Sequence, residues 1–127
     1  MLEPKDISVI IATNLRNISE KIIEQLNNYS DNGINVLISI PPNKSIERAY
    51  NLGFSKDINI IKSDLIGQVS QRQYAYKFCK TKLILQMDDD IEFDYSNVKK
   101  LLGQFINLPK SSCLAPFLNI KNKNEEK

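Results

Sequence analysis

The chain contains no histidine. Its absence excludes Ser-His-Asp and Cys-His nucleophilic machinery within this sequence, along with His-based zinc sites. Cysteine is scarce, with Cys79 and Cys113 far apart. Two isolated cysteines point to a reducing compartment rather than a disulfide framework. Each reads as a small buried hydrophobe rather than a reactive thiol. Long hydrophobic runs are also missing. Ile7 to Ala12 is too short for a membrane span, and Met1 to Asp6 lacks the basic start of a signal peptide. The expectation is a cytoplasmic chain without a transmembrane segment, with a peripheral role at a membrane left open. Nor is there a block of positive charge. The 17 basic and 15 acidic residues leave a net charge of +2, and the lysines are scattered. A dedicated nucleic-acid binder, with its clustered basic face, is not expected.

What remains is an ordinary globular composition, 42% hydrophobic and 25% charged. A length of 127 residues suits one domain with a real core. We expect that domain over residues 1–120, and a polar tail over 121–127 where both charge signs mix.

Short β-rich runs alternate with runs of helical period. Ile7 to Ala12 is a nearly continuous apolar strand, the kind buried on both faces of a parallel sheet. Ile18, Ile22, Leu26 and Tyr29 recur at helical spacing, and Asp31-Asn32-Gly33 closes that helix. Ile34 to Ile40 reads as a second strand, ended by Pro41-Pro42. Asn43 or Ser45 could cap a short helix through Leu52, with Gly53 at its end. Ile58 to Ile61 is a third strand. Gly67 to Lys80 reads as a helix, with Val69, Arg72, Tyr76 and Cys79 recurring on one face. Lys82 to Met87 reads as a fourth, buried strand. Asp94 or Ser96 then caps a helix with Val98, Leu101, Leu102, Phe105 and Ile106 on its apolar face. Ser112 to Ile120 is the last strand candidate. This alternation predicts βαβ units, a mainly parallel sheet and helices on both faces.

The chemistry concentrates in Met87-Asp88-Asp89-Asp90, three consecutive carboxylates at the end of a strand. Ligands of open α/β sheets bind outside the carboxyl ends of strands. Three adjacent negative charges call for a counterion, and carboxylate oxygens suit Mg²⁺, Mn²⁺ or Ca²⁺. In an extended chain Asp88 and Asp90 point the same way and Asp89 the other, making Asp88 and Asp90 the natural ligand pair. The bland alternative is a solvated acidic loop before a helix N-terminus, which we prefer for Glu92 and Asp94. An EF-hand loop does not fit: its sixth position is Phe93 rather than Gly, and its twelfth is Lys99 rather than Glu.

Four segments, in order, resemble family 2 glycosyltransferases of the GT-A fold. They are Ser8 to Asn14, Ile34 to Ile40, Gly67-Gln68-Val69-Ser70-Gln71-Arg72-Gln73, and Leu83 to Asp90 with its DXD motif. The resemblance implies a Rossmann-like GT-A three-layer sandwich. It implies a metal-dependent glycosyltransferase that binds a UDP- or GDP-type nucleotide sugar through Mn²⁺ or Mg²⁺ and transfers the sugar to an unknown acceptor. Asp88 and Asp90 would hold the metal. Thr13, Asn14, Arg72, Asp88 and Asp89 would line the donor site. The family's acidic base reader at the end of strand two is replaced here by Ile40-Pro41-Pro42, and Gln73 stands where the family often has Asn. The family's catalytic base and acceptor elements follow later in its chains, and nothing after Asp94 looks like such a base. The alternatives are a non-catalytic nucleotide-sugar-binding module, a piece of a longer transferase, and a structural α/β domain with a solvated Asp triplet.

Overall fold

The computed structural model describes residues 2–105. Four parallel strands form one sheet in the order β3-β2-β1-β4. They are β1 (Ile7–Ala12), β2 (Asn35–Ile40), β3 (Asn59–Lys62) and β4 (Leu83–Met87). The helices between and after them are α1 (Glu20–Asp31), α2 (Ile46–Tyr50), α3 (Gln68–Tyr76) and α4 (Tyr95–Phe105). The expected α/β architecture forms, with helices on both faces; the sheet, expected to be mainly parallel, is all parallel among the described residues. The last strand candidate, the polar tail and Cys113 lie outside the described residues.

Every residue of β1 is buried, because this strand has neighbours on both edges and helices on both faces. Val9 sits opposite Val36 of β2 and Leu85 of β4. Strand alternation sends Ile7, Val9 and Ile11 to one face and Ser8 and Ile10 to the other. The first face carries most of the core. Ile22, Ile23, Leu26 and Tyr29 of α1 pack there with Val36, Ile38 and Ile40 of β2, Ala49 of α2, and Val98 and Leu102 of α4. Ser19 starts α1 by accepting the Ile22 amide at 3.2 Å, which satisfies one of the orphan donors of the first turn. The second face is covered by α3 alone among the described helices, through a small cluster of Ile10, Leu37 and Ala75.

Two expectations change. The first is α3, which is shorter than expected and presents a different face. Its buried residues are Gln71 and Ala75, while Val69 is 66% exposed and Tyr76 is 38% exposed. The buried polar side chain of Gln71 turns inward because backbone carbonyls satisfy it, as set out below. The second is β4. It is an edge strand among the described residues, and its burial alternates: Leu83, Leu85 and Met87 face the large core, while Ile84 and Gln86 are exposed. The helix α3 lies mainly over β1 and β2 and reaches β4 through the Tyr76 hydroxyl, which hydrogen-bonds Gln86 Oε1.

Candidate functional site at the switch point of the sheet

The chain leaves β1 for β2 and β3 on one side, then crosses back to place β4 on the other. The crevice between the carboxyl ends of β1 and β4 is therefore the topological switch point, where such sheets bind ligands. Thr13 leaves β1 at this point and Asp88 leaves β4.

The two strand ends are joined by side chains. Thr13 Oγ1 donates to Asp89 Oδ2 at 2.7 Å. The same oxygen accepts the Leu15 amide at 3.0 Å. That second contact holds Leu15 at φ 68°, left-handed backbone that a leucine adopts only under constraint. Asn14 likewise accepts the Arg16 amide at 2.9 Å, so consecutive side chains of the loop brace their own backbone.

On the other side, Arg72 Nη2 lies 2.6 Å from Asp88 Oδ1, a charge-assisted hydrogen bond. Arg72 is mostly shielded, with its side chain 19% exposed, whereas Asp88 is 55% exposed. Arg72 Nε is buried and, among the described residues, has no hydrogen-bond partner.

Gln71 fastens the helix that carries this arginine. Its Nε2 donates to Ser39 O at 2.8 Å and Thr13 O at 3.2 Å, and its Oε1 accepts the Gly67 amide at 3.2 Å. One side chain thus ties the ends of β1 and β2 to the start of α3. Gly67 has φ 125°, which only glycine takes without strain. Sequence reasoning passed over Gln71, because a glutamine beside an arginine at a helix start looks like surface. The one signal it left was Ala75, four residues on, marking the true inner face.

The expected extension through the triplet is not seen. β4 ends at Met87, and Asp89-Asp90 form a turn. Asp89 is half-buried against Thr13, and Asp90 is exposed. Thr13, Arg72, Asp88 and Asp89 are thus connected by direct contacts. Asn14 lines the same crevice without touching a carboxylate. Asp90 has no ionic partner among the described residues.

The loop after the triplet is anchored from below by α1. Gln25 Nε2 donates to Ile91 O at 3.0 Å, and Gln25 Oε1 accepts the Phe93 amide at 2.8 Å. The Tyr29 hydroxyl donates to Phe93 O. Burial, and then the Asp94 carboxylate, push the Tyr29 phenol well above its ordinary range. Asp94 itself accepts the Ser96 hydroxyl and the Asn97 amide, which hold its carboxyl below the usual carboxylate range. Asp94 therefore caps α4, the structural role expected of it. Glu92 pairs with Lys21 at 3.2 Å on the surface. Cys79 is half-buried, and burial raises its thiol pKa, so it is a poor nucleophile.

Two cavities flank the carboxylates. One, of about 250 Å³, is lined by Thr13, Asn14, Asn17, Pro41, Gly67 and Asp89. The other, of about 470 Å³, lies on the β4 side and is lined by Arg72, Gln86, Asp88, Ile91 and Phe93. Gln68 borders both.

No family model, curated protein or solved structure matches the chain. No described helix is long and apolar enough to cross a membrane.

Proposed function

We propose that the crevice between β1 and β4 is the donor site of a glycosyltransferase-like domain, built to bind a nucleoside-diphosphate sugar with a divalent cation. The observation that carries this reading is the Thr13–Asp89 and Arg72–Asp88 pair of contacts at the switch point. They place a hydroxyl, a guanidinium and two carboxylates where the topology favours a ligand.

The residues suit a metal of the Mg²⁺ or Mn²⁺ type. Among the described residues no three His, Cys, Asp or Glu side chains converge as a closed cage. The proposed cation would therefore take one or two carboxylates and complete its shell with phosphate oxygens and water. Asp88 and Asp90 would hold it: Asp88 has an oxygen beyond the one paired with Arg72, and Asp90 is exposed and has no ionic partner among the described residues. Bound there, the ion would supply Lewis-acid stabilisation to the departing diphosphate.

The chain's own residues have separate tasks. Arg72 offers a preorganised cation whose buried Nε has no acceptor among the described residues, and a phosphate oxygen is a fitting one. Thr13 holds Asp89 back from solvent. The smaller cavity, bordered by Thr13, Asn14 and the glycine step, takes the nucleoside end. The larger one, across Asp88, takes the sugar.

Calorimetric titration of UDP and GDP with Mn²⁺ or Mg²⁺, repeated with EDTA, tests this. Metal-dependent binding of a diphosphate nucleotide is the expected result. A folded chain that binds neither would sink it. A second reading, binding without turnover, is favoured by the Arg72–Asp88 pair, since that cation already neutralises part of the acidic cluster. Donor hydrolysis or transfer by the nucleotide-bound chain would exclude that second reading.

A further inference from the structure

Arg72 and Asp88 are joined by a salt bridge and border one cavity. Arg72 Nη2 lies 2.6 Å from Asp88 Oδ1, and both residues line the β4-side cavity of about 470 Å³. The arginine is the better-held partner. Its side chain is mostly shielded, while that of Asp88 is mostly open. Gln71, its neighbour in α3, ties the helix to the ends of β1 and β2. A guanidinium does not shed its charge at any ordinary pH. A cation therefore stands at the carboxylates before any ligand arrives. Farther along the loop, Glu92 pairs with Lys21, but both of those side chains are exposed and neither belongs to the triplet.

Asp88 can offer a divalent ion only the oxygen that Arg72 leaves free, so the ion would share that carboxylate with a guanidinium. Two cations on one carboxylate repel, and shielding of the arginine limits how far solvent and salt weaken that repulsion. A diphosphate reverses the sign. Its negative oxygens attract both cations, and Arg72 has a donor left for them: Nε is buried and has no hydrogen-bond partner among the described residues. We infer that Arg72 guards the carboxylates, holding their affinity for a free divalent cation low and making metal binding conditional on a diphosphate. The coupling is reciprocal, so the metal raises diphosphate affinity by the same factor that the diphosphate raises metal affinity. This inference rests on the metal-assisted donor reading and adds to it that ion and diphosphate bind as one unit. It also gives Arg72 a task in the empty site, where it suppresses capture of stray divalent ions by three adjacent aspartates.

Titration of the full chain with Mn²⁺ and no nucleotide, followed by the electron paramagnetic resonance signal of the free ion, tests it. Arg72→Gln removes the charge and keeps a polar side chain. Its Mn²⁺ dissociation constant should fall about five- to tenfold below that of the wild type. Arg72→Lys keeps the charge and should stay near the wild type. Lys21→Gln removes the same charge from the exposed Lys21–Glu92 pair and should leave Mn²⁺ binding unchanged. The gain in UDP affinity on adding Mn²⁺, read by calorimetry, should be smaller in Arg72→Gln than in the wild type. Circular dichroism confirms that each variant is folded. An Arg72→Gln chain that binds Mn²⁺ no more tightly than the wild type overturns the inference. So does an equal tightening in Arg72→Lys or Lys21→Gln, or a failure of both wild type and Arg72→Gln to take Mn²⁺ at all. Metal-dependent UDP binding by the wild type is measured separately, so the donor reading can stand where this inference falls.

Discussion

The two faces of the sheet are built on different principles. The face under α1, α2 and α4 is a continuous apolar layer, from Ile7 and Val9 through Leu26 and Ile38 to Val98. The face under α3 has, among the described residues, a small buried cluster of Ile10, Leu37 and Ala75, and Gln71 fastens the helix to the sheet by two hydrogen bonds, to Ser39 O and Thr13 O. The first face makes the domain stable. The second positions Arg72 over the crevice. Separating the tasks lets the polar groups of the site be arranged without interrupting the core, where each unpaired polar atom would cost heavily.

The sharpest test removes core from the stable face. Leu26 is fully buried, and Leu26→Ala should destabilise by about 2–5 kcal/mol in urea unfolding. Nucleotide affinity should be unchanged wherever the variant is folded. A loss of affinity in step with stability would erase the division between the faces. Next is Gln71→Leu, which takes the side-chain donor from the Thr13 carbonyl and leaves Ser39 O with the Thr13 amide alone. It should cost about 1–3 kcal/mol and also weaken nucleotide binding, by loosening the helix that carries Arg72. Stability lost with affinity intact would make Gln71 a purely structural clasp.

Ser19→Ala removes the α1 cap and should cost about 1 kcal/mol, with no effect on binding. Arg72→Ala should change stability by less than about 1 kcal/mol, since its partner Asp88 is largely exposed. It should weaken a nucleoside diphosphate more than the nucleoside, by isothermal titration. Equal losses would place Arg72 away from the phosphates. Asp90→Asn is the gentlest change to the fold. Its thermal midpoint should match the wild type, while metal-dependent nucleotide binding falls. Unaltered binding would remove Asp90 from the metal site.

The parallel sheet was legible because apolar runs such as Ile7 to Ala12 alternate with helical periods and capped turns. The carboxylate cluster was legible because it follows a strand directly. The inner face of α3 was not. Val69, Tyr76 and Cys79 are the more hydrophobic residues, yet the sheet beneath the helix N-terminus offers carbonyl oxygens, and those select a glutamine. Nor could the run Leu83-Ile84-Leu85 reveal that α3 lies mainly over β1 and β2 and leaves Ile84 exposed. The roles within the triplet were equally hidden. A strand that ends at Met87 and turns at Asp89-Asp90 does not keep the alternation that an extended chain would impose.

Gln25 and Tyr29 give the acidic loop an unusual thermodynamic status. Both amide-level contacts of Phe93 are made by α1, the helix at the centre of the large core. Releasing that loop therefore means disturbing the most protected part of the molecule. The Phe93 amide should exchange its hydrogen only as slowly as the core amides of α1, although it lies a few residues from exposed carboxylates. The ordering entropy of the loop is then spent during folding, before any ligand arrives, and association at the carboxylates should proceed with little slow conformational relaxation.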